Sequence, residues 1–259
     1  MHDAVNRIAA ALIEAEANKQ AVPSLTQQYA DLEVTDAYNI QLEVIKRKLA
    51  GGRTVIGKKV GLTSVAMQQM LGVEEPDYGH LLDGMELSCG EKVKINELLH
   101  PKIEAEIGFI LGEDLEGPNI TFLDVLMATK HVMPTLEIID SRIADWKIQL
   151  ADTVADNGSS AKVVLGEQLT AIDGIDLRSV GMTLYKNGEM IATGSGAAAL
   201  GHPAHAIAWL ANKLSEFGIS LKAGELILPG ALSAAIAVEE GDTVTAQFGP
   251  LGSVFVNFE

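Results

Sequence analysis

Residues 101–111 read PKIEAEIGFIL and decide the fold of this chain, because they set two carboxylates in a short apolar run. The length of the run and its β-branched and aromatic residues favour a strand over a surface loop. Side chains two residues apart in a strand point to the same face, so Glu104 and Glu106 stand side by side. The opposite face then carries Ile103, Ala105, Ile107 and Phe109.

A third carboxylate, Glu137, also has mostly apolar neighbours, in the run MPTLEIID at 133–140. Three carboxylates on apolar strands cannot all stay charged in a dry interior unless a cation joins them. A hard divalent cation such as Mg²⁺ takes oxygen ligands of this kind. The alternative is that these glutamates form the solvated face of a half-exposed sheet.

The composition of the chain limits the kinds of fold and of binding partner that it can have. With 259 residues and 47% hydrophobic content, the chain is long enough to bury a sizeable core. Its net charge of -16 argues against a nucleic-acid partner, which needs a basic surface. The single cysteine, Cys89, excludes an internal disulfide and a CxxC motif and fits a reduced, cytoplasmic setting. We expect no signal peptide and no membrane span, since a basic N-terminal region and a long apolar run are both missing.

Hydrophobic periodicity predicts helices and strands along the whole chain. Two helices are expected near the N-terminus, over residues 4–19 and from a Thr35 or Asp36 cap to Ala50. Thr121 caps a helix from Phe122 to about Thr129 whose apolar side carries Leu123, Leu126 and Met127, and His202 precedes another helix that begins at Pro203. The candidate strands after residue 160 are Ala161–Leu165, Gly181–Lys186, Met190–Gly194, Glu225–Leu228, Thr243–Phe248 and Ser253–Phe258.

Two adjacent lysines lie in a predicted strand at 54–63, which a short helix from Ser64 to Met70 follows. Lys58 and Lys59 point to opposite faces, so one of them shares a face with apolar side chains. A lysine in that position could donate a proton or clamp an anion. The alternative is a lysine on an edge strand that opposes aggregation.

Two polar segments are rich in turn-forming residues. Residues 74–80 include Pro76, Asp77 and Gly79, which predicts a turn with Asp77 as a capping residue. His80 could be a ligand, but a lone histidine in a loop is more often solvated. Residues 152–160 read DTVADNGSS, and Asp-Asn-Gly favours a tight turn with positive φ. The short hydroxyls and the amide of this second segment could line a site, or they could serve the turn alone.

Six motifs together resemble the 2-oxopent-4-enoate (2-hydroxypenta-2,4-dienoate) hydratases, in the hydratase/decarboxylase branch of the fumarylacetoacetase-like superfamily. They cover nearly the whole chain in order and are GKKVGLTS (57–64), EPDYGHLLDGM (75–85), HPKIEAEIGFIL (100–111), MPTLEIIDSRIADWKI (133–148), DTVADNGSS (152–160) and GAAALGHP (196–203). The resemblance implies an α+β fold, a mixed β-sheet roll with a smaller helical N-terminal part. We place the helical part at residues 1–75 and the β-rich catalytic core at 76–259.

The resemblance also implies a chemistry and the residues that perform it. Three metal-binding carboxylates match Glu104, Glu106 and Glu137, with Mg²⁺ or Mn²⁺ as the cofactor. Lys59 and Asp77 match the residues expected to move protons, and Ser160 falls in the segment expected to approach the substrate. The metal would polarise the 2-oxo group of a small 2-oxo or 2-hydroxydienoate, and water addition would give 4-hydroxy-2-oxopentanoate.

The biological setting implied by the resemblance is the meta-cleavage degradation of aromatic compounds. The enzyme would be a cytoplasmic homo-oligomer with no membrane or nucleic-acid partner. A complex with the sister decarboxylase or hydratase, or with the downstream aldolase, stays open.

Two other functions remain as alternatives. The first is 4-oxalocrotonate (2-oxo-3-hexenedioate) decarboxylase. Asp77 and the sequence of residues 144–157 favour the hydratase over this alternative. Pro229, which stands where the resemblance leads us to expect Thr or Ser, leaves a longer dicarboxylate substrate open. The second is a non-catalytic subunit with a structural metal, which would not need Lys59 and Asp77 beside the carboxylates.

Overall fold

The computed structural model describes residues 2–64, 68–69, 73 and 75–259. The first helices are α1 (His2–Asn18), α2 (Leu25–Gln28) and α3 (Val34–Ala50). The two long ones match the predicted helices, but the predicted cap at Thr35 or Asp36 is wrong. Helix α3 begins earlier, after Glu33, which makes no side-chain capping hydrogen bond. The helix predicted from Ser64 to Met70 lies largely outside the described residues.

Three further helices are α4 (Phe122–Ala128), α5 (Leu150–Ala155) and α6 (Pro203–Ser215). The predicted caps of α4 and α6 are confirmed, because Thr121 forms a capping box with Asp124 and His202 accepts a hydrogen bond from the backbone of Ala204. The predicted inward face of α4 is wrong, since Leu123 and Met127 are 64% and 83% exposed. This short helix buries a narrower stripe that contains Val125 and Ala128.

Thirteen strands in the described part of the chain form two sheets. In chain order they are β1 (Val55–Gly61), β2 (Asp77–Leu82), β3 (Glu86–Ser88), β4 (Lys92–Val93), β5 (Lys102–Leu111), β6 (Thr129–Ile139), β7 (Ser160–Leu165), β8 (Gly181–Lys186), β9 (Glu189–Ser195), β10 (Leu226–Leu228), β11 (Ile236–Ala237), β12 (Thr243–Phe248) and β13 (Gly252–Phe258). The larger sheet has the order β2-β1-β10-β5-β6-β7-β3, with β11 beside β5, and the smaller has the order β4-β13-β12-β8-β9. In the larger sheet β1–β10 and β3–β7 are parallel and the other pairs antiparallel, so the predicted mixed sheet is confirmed.

Strand β2 replaces the turn predicted at residues 74–80. Asp77 and His80 are only 2% and 3% exposed, so the capping role and the solvated loop are both wrong. Gly79, which suggested a turn, instead lets the backbone of Asn157 pack closely against β2. A Cβ on Gly79 would lie 2.3 Å from the carbonyl oxygen of Asn157.

The main core lies between the two sheets. The face of β5 opposite the glutamates packs there, and Ile103, Ile107 and Phe109 are fully buried. Strands β12 and β13 contribute Val244 and Val256 from the smaller sheet. The face predicted to be apolar is therefore the core face of the sheet, which leaves the glutamates on its other side.

The N-terminal helices are fastened to the sheet through α3. Gln41 donates hydrogen bonds to the carbonyl oxygens of Tyr78 in β2 and Val154 in α5, at 2.8 and 2.7 Å. The ring of Tyr38 stacks on that of Tyr78 with centroids 4.3 Å apart. Helix α3 thus fixes the position of β2, the strand that carries Asp77.

Both lysines of β1 are buried, on opposite faces. Strand β1 lies between β2 and β10, so the edge-strand interpretation is wrong. The ammonium of Lys58 lies 2.6 and 2.7 Å from the two carboxylate oxygens of Glu225. This pair holds β1 to the start of β10 on the face that does not carry Lys59.

We expect Lys58→Met to lower the free energy of unfolding by about 3 kcal/mol, because the buried carboxylate of Glu225 loses its cation and keeps, among the described residues, only the backbone N–H of Lys222. Urea denaturation measures the change. The control is Lys46→Met, whose exposed ion pair with Glu43 should contribute less than about 1 kcal/mol. Equal losses in the two variants would contradict the structural role of the buried pair.

Candidate active site

Three carboxylates meet on the face of the larger sheet opposite the core. Strands β5 and β6 are antiparallel, and their register sets Glu104 directly opposite Glu137. One carboxylate oxygen from each of Glu104, Glu106 and Glu137 lies within 4.8 Å of the others. Glu106 and Glu137 are buried and Glu104 is partly exposed, so the solvated-face alternative is wrong.

Few hydrogen bonds reach these buried carboxylate oxygens in the described part of the chain. Among the described residues, Oε1 of Glu106 and both carboxylate oxygens of Glu137 have no hydrogen-bond partner. Gly230 is a backbone donor to the cluster, and its N–H lies 2.8 Å from Oε2 of Glu106. Since buried acceptors are almost always satisfied, these oxygens fit the ligand set of a hard divalent cation.

Burial and mutual repulsion disturb the titration of this cluster. Burial, and after it the charge of Glu137, raises the pKa of Glu104 to about 7. The pKa of Glu106 is raised well above its usual range by burial, with Glu137 and Glu104 adding to the effect. A free cluster therefore holds protons at neutral pH, and a bound cation would displace them.

Lys59 is the cation that the fold brings to these carboxylates. Its ammonium lies 3.6 Å from Oε2 of Glu137, and its side chain is buried. Burial alone would lower the pKa of Lys59, but the carboxylates of Glu137 and Asp77 outweigh it and the pKa is raised. The lysine that the resemblance singled out is thus held as an ammonium.

Asp77 shares this space from β2. Its Oδ2 accepts a hydrogen bond from the hydroxyl of Thr153 at 2.8 Å, while Oδ1 has no partner among the described residues. Gly61 lies opposite Asp77 in the sheet, and a Cβ there would be 2.1 Å from Oδ1 of Asp77 and 3.4 Å from the ammonium of Lys59. Gly61 therefore leaves room for both side chains in one pocket.

Residues 156–160 cross over this pocket. Ser160, the first residue of β7, is buried and its hydroxyl has no partner among the described residues. A Cβ on Gly158 would lie 2.5 Å from Cε of Lys59. The structure thus brings all six predicted site residues to one region. The sequence did not single out Thr153 or Gly230, although Thr153 stands in the quoted DTVADN run.

An apolar cluster continues the same face of the sheet. A Cβ on Gly108, two residues beyond Glu106, would contact side chains of Leu226 and Met133. These two belong to a small buried cluster that also contains Leu81, Val163 and Leu228. Buried apolar side chains therefore border the carboxylates on this face of the sheet.

No helix in the described part of the chain is long and apolar enough to cross a membrane.

Comparisons with known proteins agree with this geometry. Residues 87–258 match the family model described as Fumarylacetoacetate (FAA) hydrolase C-terminal. The 2-keto-4-pentenoate hydratase of Paraburkholderia xenovorans (strain LB400) is 47% identical over 251 residues, which cover 97% of this chain and 93% of the relative. The 4-oxalocrotonate decarboxylase of Pseudomonas sp. (strain CF600) is 43% identical over 256 residues, which cover 99% and 97%.

A solved structure extends the likeness to the whole fold. It is 4-oxalocrotonate decarboxylase from Pseudomonas putida G7, complexed with magnesium and adipate, and it matches with a TM-score of 0.97 at 39% identity. The match covers 100% of this chain and 98% of that chain. The resemblance to the hydratase/decarboxylase branch and the predicted fold class are both confirmed.

Proposed function

This chain belongs to the fumarylacetoacetate hydrolase family, and from that premise we propose that it hydrates 2-hydroxypenta-2,4-dienoate (2-oxopent-4-enoate) to 4-hydroxy-2-oxopentanoate. The observation that carries the proposal is the meeting of three carboxylates with the ammonium of Lys59 and the carboxylate of Asp77. A structural metal site would need the three carboxylates alone. The added acid–base pair supports catalysis.

The metal would be held by Glu104, Glu106 and Glu137. When bound, Mg²⁺ or Mn²⁺ supplies Lewis-acid polarisation of the 2-oxo group of the substrate. The oxygens of Glu106 and Glu137 that accept no hydrogen bond from the described residues support this assignment. The magnesium in the decarboxylase from Pseudomonas putida G7 supports the choice of a hard divalent cation.

The residues beside the metal ligands would move the protons. Hydration adds one water across a carbon–carbon double bond, so a proton must reach one carbon and a hydroxyl the other. Lys59, held as an ammonium, is the group placed to give a proton. Asp77 has one oxygen fixed by Thr153 and the other free to accept a proton from the attacking water. Ser160 would donate its free hydroxyl to the substrate.

The segments that pack around Lys59 bring no second cation of their own, and Arg142, which donates to the carbonyl oxygen of Ser160, is already paired with Asp156. This arrangement supports a monocarboxylate over a dicarboxylate. The sequence holds no Lys or Arg between Lys59 and Lys92, none from 148 to 161, and none after Lys222. These segments include β2, the loop over Lys59 and β10. A second substrate carboxylate would need its own cation, whereas a vinyl group suits the apolar cluster around Met133 and Leu226.

The decarboxylase remains a second candidate, because relatives with both names match this chain at similar identity. We expect loss of the dienol with 2-hydroxypenta-2,4-dienoate and Mg²⁺, and no loss after EDTA treatment. A parallel assay follows CO₂ release from 2-oxo-3-hexenedioate. Release of CO₂ without hydration of the dienoate would make the protein the decarboxylase.

Metal affinity should depend on pH around neutrality. The pKa of Glu104 is raised to about 7 by burial and by Glu137, and a carboxylate must lose its proton before it binds a metal. Affinity therefore falls as pH drops through this pKa, because Glu104 then holds its proton. Mn²⁺ titrations followed by electron paramagnetic resonance at pH 8 and pH 6 should show weaker binding at pH 6, and equal affinities would contradict the assignment.

The assembly and setting implied by the resemblance also belong to the proposal. The proposal includes a cytoplasmic homo-oligomer, and the exposure of Leu123 and Met127 one turn apart on α4 supports the oligomer. The single cysteine, Cys89, is free, which agrees with a reducing compartment.

A further inference from the structure

The side chain of Asn157 forms two hydrogen bonds with the backbone of β2, the strand at one edge of the larger sheet. Among the described strands, β2 lies at one end of that sheet with β1 on one side. The carboxamide of Asn157 accepts a hydrogen bond from the backbone N–H of His80 at 2.8 Å and donates one to its carbonyl oxygen at 2.9 Å. In an antiparallel ladder the two backbone groups of one residue point to the same side. The carboxamide thus takes the place of a neighbouring strand.

This pairing fixes how closely the loop at residues 156–160 packs on the face of the sheet. The carbonyl oxygen of Asn157 rests on Gly79, where a Cβ would lie only 2.3 Å away. The next residue, Gly158, rests on Lys59, where a Cβ would lie 2.5 Å from Cε and 3.0 Å from the ammonium nitrogen. The loop therefore forms the wall that limits where the Lys59 side chain can go.

The backbone of the loop does not favour this shape by itself. Asn157, Gly158 and Ser159 all have positive φ, at 57°, 58° and 55°. Successive left-handed residues are disfavoured in chains of L-amino acids, so contacts outside the loop must hold it. The far end is held separately, since Asp140 donates its N–H to the carbonyl oxygen of Ser159 at 2.8 Å. Asn157 is the attachment on the β2 side.

We propose that Asn157 is a positioning residue, whose pairing with the backbone of His80 holds Gly158 against Lys59 and so fixes the ammonium beside Glu137. The catalytic part of this inference rests on the proposed function, in which Lys59 gives a proton. Asn157 itself acts only through Lys59. Misplacement of a reacting group by about 1 Å can lower a rate by about 100-fold.

The test compares two Asn-Gly pairs in the same chain. Asn187 also precedes a glycine, has a φ of 55°, and uses its side chain for hydrogen bonds to Asp242 and to the backbone of Thr243. It lies in the hairpin between β8 and β9. Replacement by Ala or by Gly removes the side-chain bonds at either position, and Gly also removes the strain of positive φ.

We expect Asn157→Ala and Asn157→Gly to lower kcat by about 10- to 100-fold, with little change in KM or in Mg²⁺ affinity. The same replacements of Asn187 should leave kcat unchanged. A loop that merely supported the fold would lower metal affinity and kcat together. Retention of wild-type kcat in both Asn157 variants would overturn the proposal.

A second readout does not depend on turnover. Peptide mass spectrometry after brief acetylation reports the accessibility of Lys59, which should rise about tenfold in the Asn157 variants through local opening of the loop. If the wild-type protein does not hydrate the dienoate but Lys59 labelling rises, the proposed function fails and the positioning role stands. Unchanged labelling, or an equal rise in the Asn187 variants, overturns the positioning role.

A milder replacement covers the case in which the Ala and Gly variants do not fold. Asn157→Asp keeps an acceptor for the N–H of His80, but its second oxygen cannot donate to the carbonyl oxygen of His80 and carries part of a negative charge. Labelling of Lys59 should then rise above the wild-type level by a smaller factor. Labelling equal to that of the wild type overturns the proposal.

Discussion

Glu137→Gln should lower the affinity for Mg²⁺ by more than about 100-fold, because it removes a ligand charge without changing the shape of the side chain. Turnover of the dienoate should fall by about 1000-fold, equivalent to about 4 kcal/mol. Glu137 is fully buried, lies opposite Glu104 in the sheet, and has two oxygens that accept no hydrogen bond from the described residues. Isothermal titration of metal and a steady-state assay measure the two effects.

The matched control is Glu189→Gln, at the exposed start of β9. This variant should bind metal and turn over substrate like the wild type. Thermal unfolding of the metal-free Glu137→Gln protein should show a fold at least as stable as the wild type, because a carboxylate that is costly to bury becomes a neutral amide. Wild-type metal affinity in Glu137→Gln would exclude this residue as a ligand.

Lys59→Met should lower kcat by about 1000-fold, within the range that general acid–base groups contribute. Metal affinity should be retained or slightly raised, since the variant removes a cation that lies 3.6 Å from a carboxylate oxygen of Glu137. This separation of turnover from metal binding distinguishes Lys59 from the ligands. Stopped-flow measurement of dienol loss, together with a metal titration, gives both quantities.

Lys162→Met is the control for this variant. Lys162 lies on β7, two residues beyond Ser160, but its ammonium donates to the carbonyl oxygen of Gly84. We expect normal turnover from this control. Lys59→Met with normal kcat would remove Lys59 from the proton transfer and leave Asp77 as the candidate.

The carboxylate cluster was predictable because a strand has a simple period. Glu104 and Glu106 are two residues apart in an apolar run, and that spacing alone sets them on one face. The pairing of Glu104 with Glu137 depends on the register of β5 and β6, which local pattern does not fix. The resemblance to a known family supplied that association.

The structure around Asp77 was not predictable from local pattern. Pro76, Asp77 and Gly79 are turn-forming residues, yet Asp77 begins a buried strand. Gly79 is needed because Asn157, which lies far away in the sequence, packs its carbonyl oxygen there. The same contact defines the role of Asn157, so both assignments required the folded chain.

The two lysines show a third limit of sequence patterns. Alternation places Lys58 and Lys59 on opposite faces, but both faces of β1 are buried, so polarity alone does not distinguish the active-site lysine. The ion-pair partners of the two lysines distinguish them. Lys58 meets one carboxylate, Glu225, and forms a structural pair, whereas Lys59 meets the carboxylate cluster through Glu137.

The central claim is that Glu104, Glu106 and Glu137 together bind one divalent cation. The most direct measurement is the anomalous diffraction of a crystal grown with Mn²⁺. We expect one strong peak among the three carboxylates, on the side of the sheet that carries Lys59 and Asp77. A peak elsewhere, with no density among these carboxylates at saturating Mn²⁺, would contradict the account.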